Sequence, residues 1–155
     1  MKKELDQQLC EKYPLLFKNR NASMMETLMC WGFEHGDGWY NIINALCDNM
    51  QSHIDWSHKQ NAWDLKWNLE HPDEQRPVRE PVAQVVVIQV KEKFGSLRFY
   101  YQGGDDTISG MVRMAESMSA VMCEECGAPA ETRGPGWIRT LCEVHEHEYQ
   151  ERIGG

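Results

Sequence analysis

Apolar positions along this chain change rhythm several times, and each rhythm predicts a different element. Between residues 3 and 18, Leu5, Leu9, Tyr13 and Leu16 stand three or four positions apart, which predicts a short amphipathic helix ending near Pro14. Residues 19 to 24 are polar and small and read as a loop. Trp39, Ile42, Ile43, Leu46, Cys47, Met50 and Ile54 then hold helical spacing over a longer run. Gly36, Asp37 and Gly38 form its natural beginning, the glycines permitting a bend and Asp37 able to accept first-turn amides.

The pattern is lost from residue 55 to 81. Trp56, Trp63 and Trp67 stand among His and Asn, and Pro72, Pro77 and Pro81 break up the second half of the stretch. It reads as a loop or linker with a helical turn around 60–68, because repeated proline forbids regular helix or a central strand. Val82 to Val90 is β-branched and apolar and predicts a central strand. A Gly-containing turn over Lys91 to Ser96 and a second strand, Leu97 to Tyr101, complete a hairpin. After Gly103 and Gly104, Asp105 or Asp106 caps a further helix with Ile108, Met111, Val112, Ala115, Met118 and Met122 on one face.

The final segment changes the picture through its chemistry. Cys123 and Cys126 form a C-x2-C pair, and after 15 residues Cys142 and His145 form a C-x2-H pair. Three thiolates and one imidazole make a complete tetrahedral shell for Zn2+ with no position left for water, so the expected role is structural. Gly127 suits a tight knuckle, residues 128–141 predict a short hairpin around 134–136, and Cys142 and His145 open a terminal helix. Knuckle, hairpin and helix suggest a treble clef, with a zinc ribbon as the other topology. His147 falls on another helix face and stays outside the shell. A hydrolytic zinc needs an open position, and no His precedes the strand Trp137 to Leu141 as a treble-clef nuclease requires. His35 and His53 also lack the H-x-E context of a deaminase.

The predicted fold is therefore α+β: a short antiparallel sheet packed with helices over residues 1–122, and a zinc-binding module over 123–155. The chain has 155 residues and a net charge of −8, which disfavours broad phosphate-backbone binding and fits a basic partner. No apolar run reaches the roughly 18 residues of a membrane span. Cys10, Cys30 and Cys47 lie outside the quartet at no repeating spacing and read as small buried hydrophobes.

Three further groups carry candidate chemistry. Lys91, Lys93, Arg98 and Tyr100 can gather on one hairpin face, since alternation sends Leu97, Phe99 and Tyr101 to the other, and this suits a nucleotide or single strand. His35 and Asp37 on a Gly-rich turn suit an anion or a small catalytic site, against a plain helix entrance. Trp56, Trp63 and Trp67 are candidate anchors for a partner protein. P-loop, dinucleotide-fold, nucleophile-elbow and HExxH motifs are absent from the sequence.

Taken together, the segments 30–43, 89–119 and 123–145 resemble a family of short, uncharacterised proteins encoded by tailed phages, prophages and bacteria. That family pairs a GDGW helix start and a KFG-LRFY hairpin with a C-terminal Cys-rich zinc module. The family form often carries Cys where His35 stands and Gly where Ser96 stands, which argues against an essential His35. The resemblance implies a phage or prophage setting, hence the cytoplasm of an infected or lysogenic bacterium, where accessory proteins of this size often bind and block a host protein, frequently a defence system. The filled zinc shell, the charge of −8 and the lack of a catalytic constellation make the expected role non-enzymatic.

Overall fold

The structure, a computed structural model, describes residues 1–134 and 136–154. Its first helix, α1 (Lys3–Lys12), stops just before Pro14, as the proline predicts, and buries Leu9. Turns carry the chain through Tyr13, Leu16 and Phe17, all buried, to a 3-10 turn at Leu28–Trp31 and a two-residue strand, β1 (Phe33–Glu34). A second 3-10 turn, Asp37–Trp39, leads into α2 (Tyr40–Glu70). Two strands, β2 (Val86–Lys93) and β3 (Ser96–Gln102), precede α3 (Asp106–Ser119). The last part of the chain holds β4 (Glu131–Arg133), β5 (Arg139–Leu141) and α4 (Glu143–Gly154).

The architecture is α+β. β2 and β3 pair antiparallel, with Val90 opposite Phe99 and Lys91 opposite Arg98, while β1 adds to β2 in parallel, Phe33 opposite Val90. The main sheet is thus mixed, where the sequence predicted only an antiparallel hairpin. Val87, Val90, Leu97 and Phe99 face a core shared with Ile43, Met50 and Ile54 of α2 and with Ile108 and Val112 of α3. Asp105 caps α3, its carboxylate accepting the Ile108 amide at 3.0 Å. Among the described residues no helix is long and apolar enough to cross a membrane.

The loop or linker expected at 55–81, with a helical turn around 60–68, is corrected for residues 55–70: the helix at 60–68 is present but belongs to α2, which runs unbroken to Glu70. At 31 residues α2 is about 46 Å long. Its C-terminal half is held by polar groups that grip the following strap rather than by an apolar stripe. Asn68 Nδ2 donates to the Arg76 carbonyl at 2.8 Å and Asn68 Oδ1 accepts the Arg76 amide at 2.7 Å. Asn61 Nδ2 donates to the Arg79 carbonyl at 2.7 Å, and Ser57 Oγ accepts the Val82 amide at 2.9 Å. The Arg76 guanidinium lies over Trp67 (3.8 Å) and Trp63 (4.5 Å), and His71 stacks on Trp67 at 3.8 Å.

Candidate metal centre and its surroundings

Residues 123–127 form the knuckle. The Gly127 amide donates to the Cys123 carbonyl at 2.8 Å and the Cys123 amide to the Ala128 carbonyl at 2.7 Å. β4 and β5 then pair antiparallel, Thr132 opposite Thr140, and Cys142 stands directly before α4 with its carbonyl accepting the Glu146 amide. The hairpin tip expected at 134–136 includes Pro135, which lies outside the described residues. Knuckle, hairpin and ligand-bearing helix start follow one another in the treble-clef order.

The four side chains converge as the spacing predicts. Their donor atoms all lie within 4.8 Å of one another. Cys126 Sγ and Cys142 Sγ are 3.8 Å apart, and His145 Nδ1 is 3.4 Å from Cys123 Sγ and 3.2 Å from Cys142 Sγ. The cluster can therefore hold a metal ion. The His145 amide bonded to Cys142 draws that thiol down to about 7, while at Cys126 the downward pull of the Ala128 amide is outweighed by burial and the neighbouring sulfurs, which push the thiol up. Cys47, by contrast, is fully buried with its thiol pushed far up by burial, and Cys10 and Cys30 are half-buried.

The Gly36–Trp39 turn forms the seat of the knuckle. The Gly38 amide donates to the Glu124 carbonyl at 2.7 Å, the Gly36 amide to the Glu124 carboxylate at 3.0 Å, and Trp39 Nε1 to the Met122 carbonyl at 2.9 Å. A Cβ at Gly38 would lie under 3.0 Å from the Cys123 carbonyl oxygen and from the Cys126 and Gly127 amide nitrogens. Glycine is required there because two backbones touch. Sequence reasoning placed this turn and the knuckle in separate units and missed the weld, for which the sequence carries no local signal.

Asp37 does not cap α2. Its Oδ1 accepts the Lys2 amide at 2.7 Å and its Oδ2 meets Lys2 Nζ at 3.0 Å, and these contacts hold the carboxyl below its usual range. His35 is buried between Phe33 and Trp39. Its Nδ1 donates to the Gly36 carbonyl at 2.7 Å, which leaves Nε2 bare and without a partner. Burial pushes His35 down to about 4. The two residues expected to act together thus have separate tasks, one inside the core and one at a surface tie.

On the hairpin, Arg98 and Tyr100 do share the outer face, and Lys91 Nζ lies 5.8 Å from the Tyr100 ring. Glu34 stands beside Lys91 in register and accepts Gln89 Nε2 at 3.0 Å, while Arg98 Nη1 is turned onto Ser96 Oγ at 2.7 Å. Lys93 sits apart at the turn, 5.3 Å from the Phe94 ring. The four residues therefore do not make an uninterrupted basic patch. Of the three candidate tryptophans, Trp56 and Trp63 are exposed, and the Arg76 guanidinium lies over Trp63 and Trp67.

A groove of about 590 Å³ lies between α2 and α3, walled by Ile42, Leu46, Met111, Met114 and Met118. Met111 and Met118, on the predicted apolar face of α3, both line this groove; Met111 also packs against the core, whereas Met118 is exposed. Apart from apolar groups its walls carry only the amides of Asn41 and Asn49. Comparison with family models, with curated proteins and with solved structures found no match.

Proposed function

We propose that this chain is a non-enzymatic protein that binds another protein, with Zn2+ held by Cys123, Cys126, Cys142 and His145 as a structural brace. The observation carrying this reading is the four-donor cluster itself. A tetrahedral zinc with Zn–S bonds of about 2.3 Å puts its sulfurs about 3.8 Å apart, the separation of Cys126 and Cys142 Sγ. Four protein donors leave no position for water or substrate, so the ion supplies folding energy rather than chemistry. The apolar groove between α2 and α3 supports the same reading, since its walls hold no acid, base or nucleophile. Resemblance to phage and bacterial proteins directs the search for the partner to a bacterial host protein, with inhibition of that protein as the outcome.

Elemental analysis of the purified chain is expected to give one zinc per chain. Capture from bacterial lysate, followed by reconstitution with the purified captured protein, is expected to give a saturable complex. Absence of a specific partner together with turnover of nucleotides would overturn this function.

A further inference from the structure

The β2–β3 turn rests on the strands of the β4–β5 hairpin, and a cleft lies beside the contact. In the β2–β3 turn both central residues have positive φ, Phe94 at 55° and Gly95 at 75°. Hairpin turns of this kind take Asn, Asp or Gly at the first position, so Phe there is strained. Core packing does not offset that strain, because the Phe94 side chain is 65% exposed. The turn is locked from both sides: Glu92 Oε1 accepts the Gly95 amide at 2.6 Å, and the Gly95 carbonyl accepts Thr140 Oγ1 from β5. A Cβ on Gly95 would press on Thr132, Thr140 and the Arg139 backbone. The metal-braced hairpin therefore fixes Phe94 in its unusual orientation.

The same hairpin delivers Trp137, 73% exposed, to a cleft of about 200 Å³ shared with Phe94 and Ile138, with Glu92 and Lys93 at the rim. On its other side Trp137 walls a hollow of about 480 Å³ with Glu124, Glu125 and Glu148. His145 lines it too, its Nε2 3.9 Å from Glu148 Oε2, and the cations there are Arg139 and Arg152. Arg139 is taken by Glu146 at 3.1 and 3.3 Å and lies on the Tyr149 ring at 3.5 Å, and Arg152 leans on the same ring at 5.5 Å. Two adjoining hollows, one aromatic and one with an excess of carboxylates, thus share a single exposed indole.

We propose that this pair of hollows binds a cationic segment of a partner protein, whose aromatic or aliphatic side chain enters between Phe94 and Trp137 while a neighbouring Lys or Arg meets Glu125 and Glu148. Charge complementarity selects this occupant: carboxylates around the indole attract a basic peptide and repel a phosphate backbone. The proposal rests on the reading of the chain as a protein binder and names the chemistry of what it binds.

A random heptapeptide library panned against the zinc-loaded full chain tests it, with Trp137→Ala as counter-target. Enriched peptides are expected to combine an aromatic or aliphatic residue with adjacent Lys or Arg. The enriched peptide is expected to lose about tenfold in affinity on Trp137→Ala. The Glu125→Gln/Glu148→Gln pair is expected to cost about threefold and flatten the salt dependence. Phe94→Gly relieves the backbone while removing the ring, and is expected to weaken binding with no fall in melting temperature. Enrichment of acidic peptides, equal enrichment on Trp137→Ala, or displacement of the peptide by a twelve-residue oligothymidylate would overturn the proposal. A captured partner that binds wild type and Trp137→Ala equally would remove this site while leaving the protein-binding function standing; failure of both peptide and partner would remove both.

Discussion

The two hairpins that meet at Gly95 are held up by different forces. The β2–β3 hairpin is backed by Val87, Val90, Leu97 and Phe99, all buried against α2 and α3. The β4–β5 hairpin contributes Thr140 and Leu141 to the interior, and α4 buries none of its residues. Burial of a core aliphatic side chain contributes about 1.5–3 kcal/mol, and the module has too few of them to offset the entropy of ordering its residues. If the proposed metal supplies the difference on one side and apolar burial on the other, the two regions should fail separately and under different insults.

Metal removal should have the largest effect. Structural zinc contributes on the order of 10 kcal/mol to small modules near neutral pH, so chelation should unfold residues 123–150 and leave α1, α2, α3 and the main sheet in place. Limited proteolysis with far-ultraviolet circular dichroism checks this, with cleavage expected only beyond Met122. A digestion pattern unchanged by chelator would show that packing alone holds the module. The mirror experiment is Ile43→Ala. Ile43 is fully buried, and truncation should cost about 2–5 kcal/mol in global unfolding, while each folded chain still binds one metal ion.

Gly38→Ala acts on the seam between the regions. The added methyl must push the Cys123–Gly127 backbone off its seat, at a cost of about 3 kcal/mol by the usual penalty for overpacking. Metal affinity, measured by chelator competition, should fall although no ligand has changed. His35 tests the core side of the same seam through pH. Its folded value, about 4, lies below the ordinary 6.5, so between those values the unfolded chain binds the proton more readily. The stabilisation is complete above pH 6.5 and is lost as pH falls toward 4, on the order of 3 kcal/mol in total. Denaturant unfolding of wild type and His35→Gln across that window should show a slope in the first that is missing from the second.

The comparison also explains what was legible in the sequence. Apolar periodicity located α1, the first half of α2, the β2–β3 hairpin and α3, because those elements are held by burial and burial leaves a period. Ligand spacing located the metal cluster, because coordination dictates which residue types stand how far apart. The second half of α2 escaped because Ser57, Asn61 and Asn68 hold it by side-chain bonds to a strap, and such bonds impose no hydrophobic period. Asp37 looked like a cap because its residue type fits one, but Lys2, distant in sequence, claims its carboxylate. Gly38 looked like a hinge, and only the approach of the knuckle shows why no side chain fits.

The strap provides the smallest and most local test. Asn68 gives the Arg76 backbone both a donor and an acceptor, so it closes a two-bond ring that Ala cannot make. Asn68→Ala removes two part-exposed hydrogen bonds, worth about 1 kcal/mol each, and gains about 0.5 kcal/mol of helix propensity. The net loss, about 1 to 1.5 kcal/mol, should fall on the strap rather than on the core. With Arg76 freed from Trp63 and Trp67, amide exchange should quicken from His71 to Val82 while the Ile43 and Val90 amides keep their protection. If exchange quickened equally at Val90, the strap would be part of the core's cooperative unit, and the chain would hold two regions divided at the knuckle alone rather than a core, a metal module and a separately latched strap.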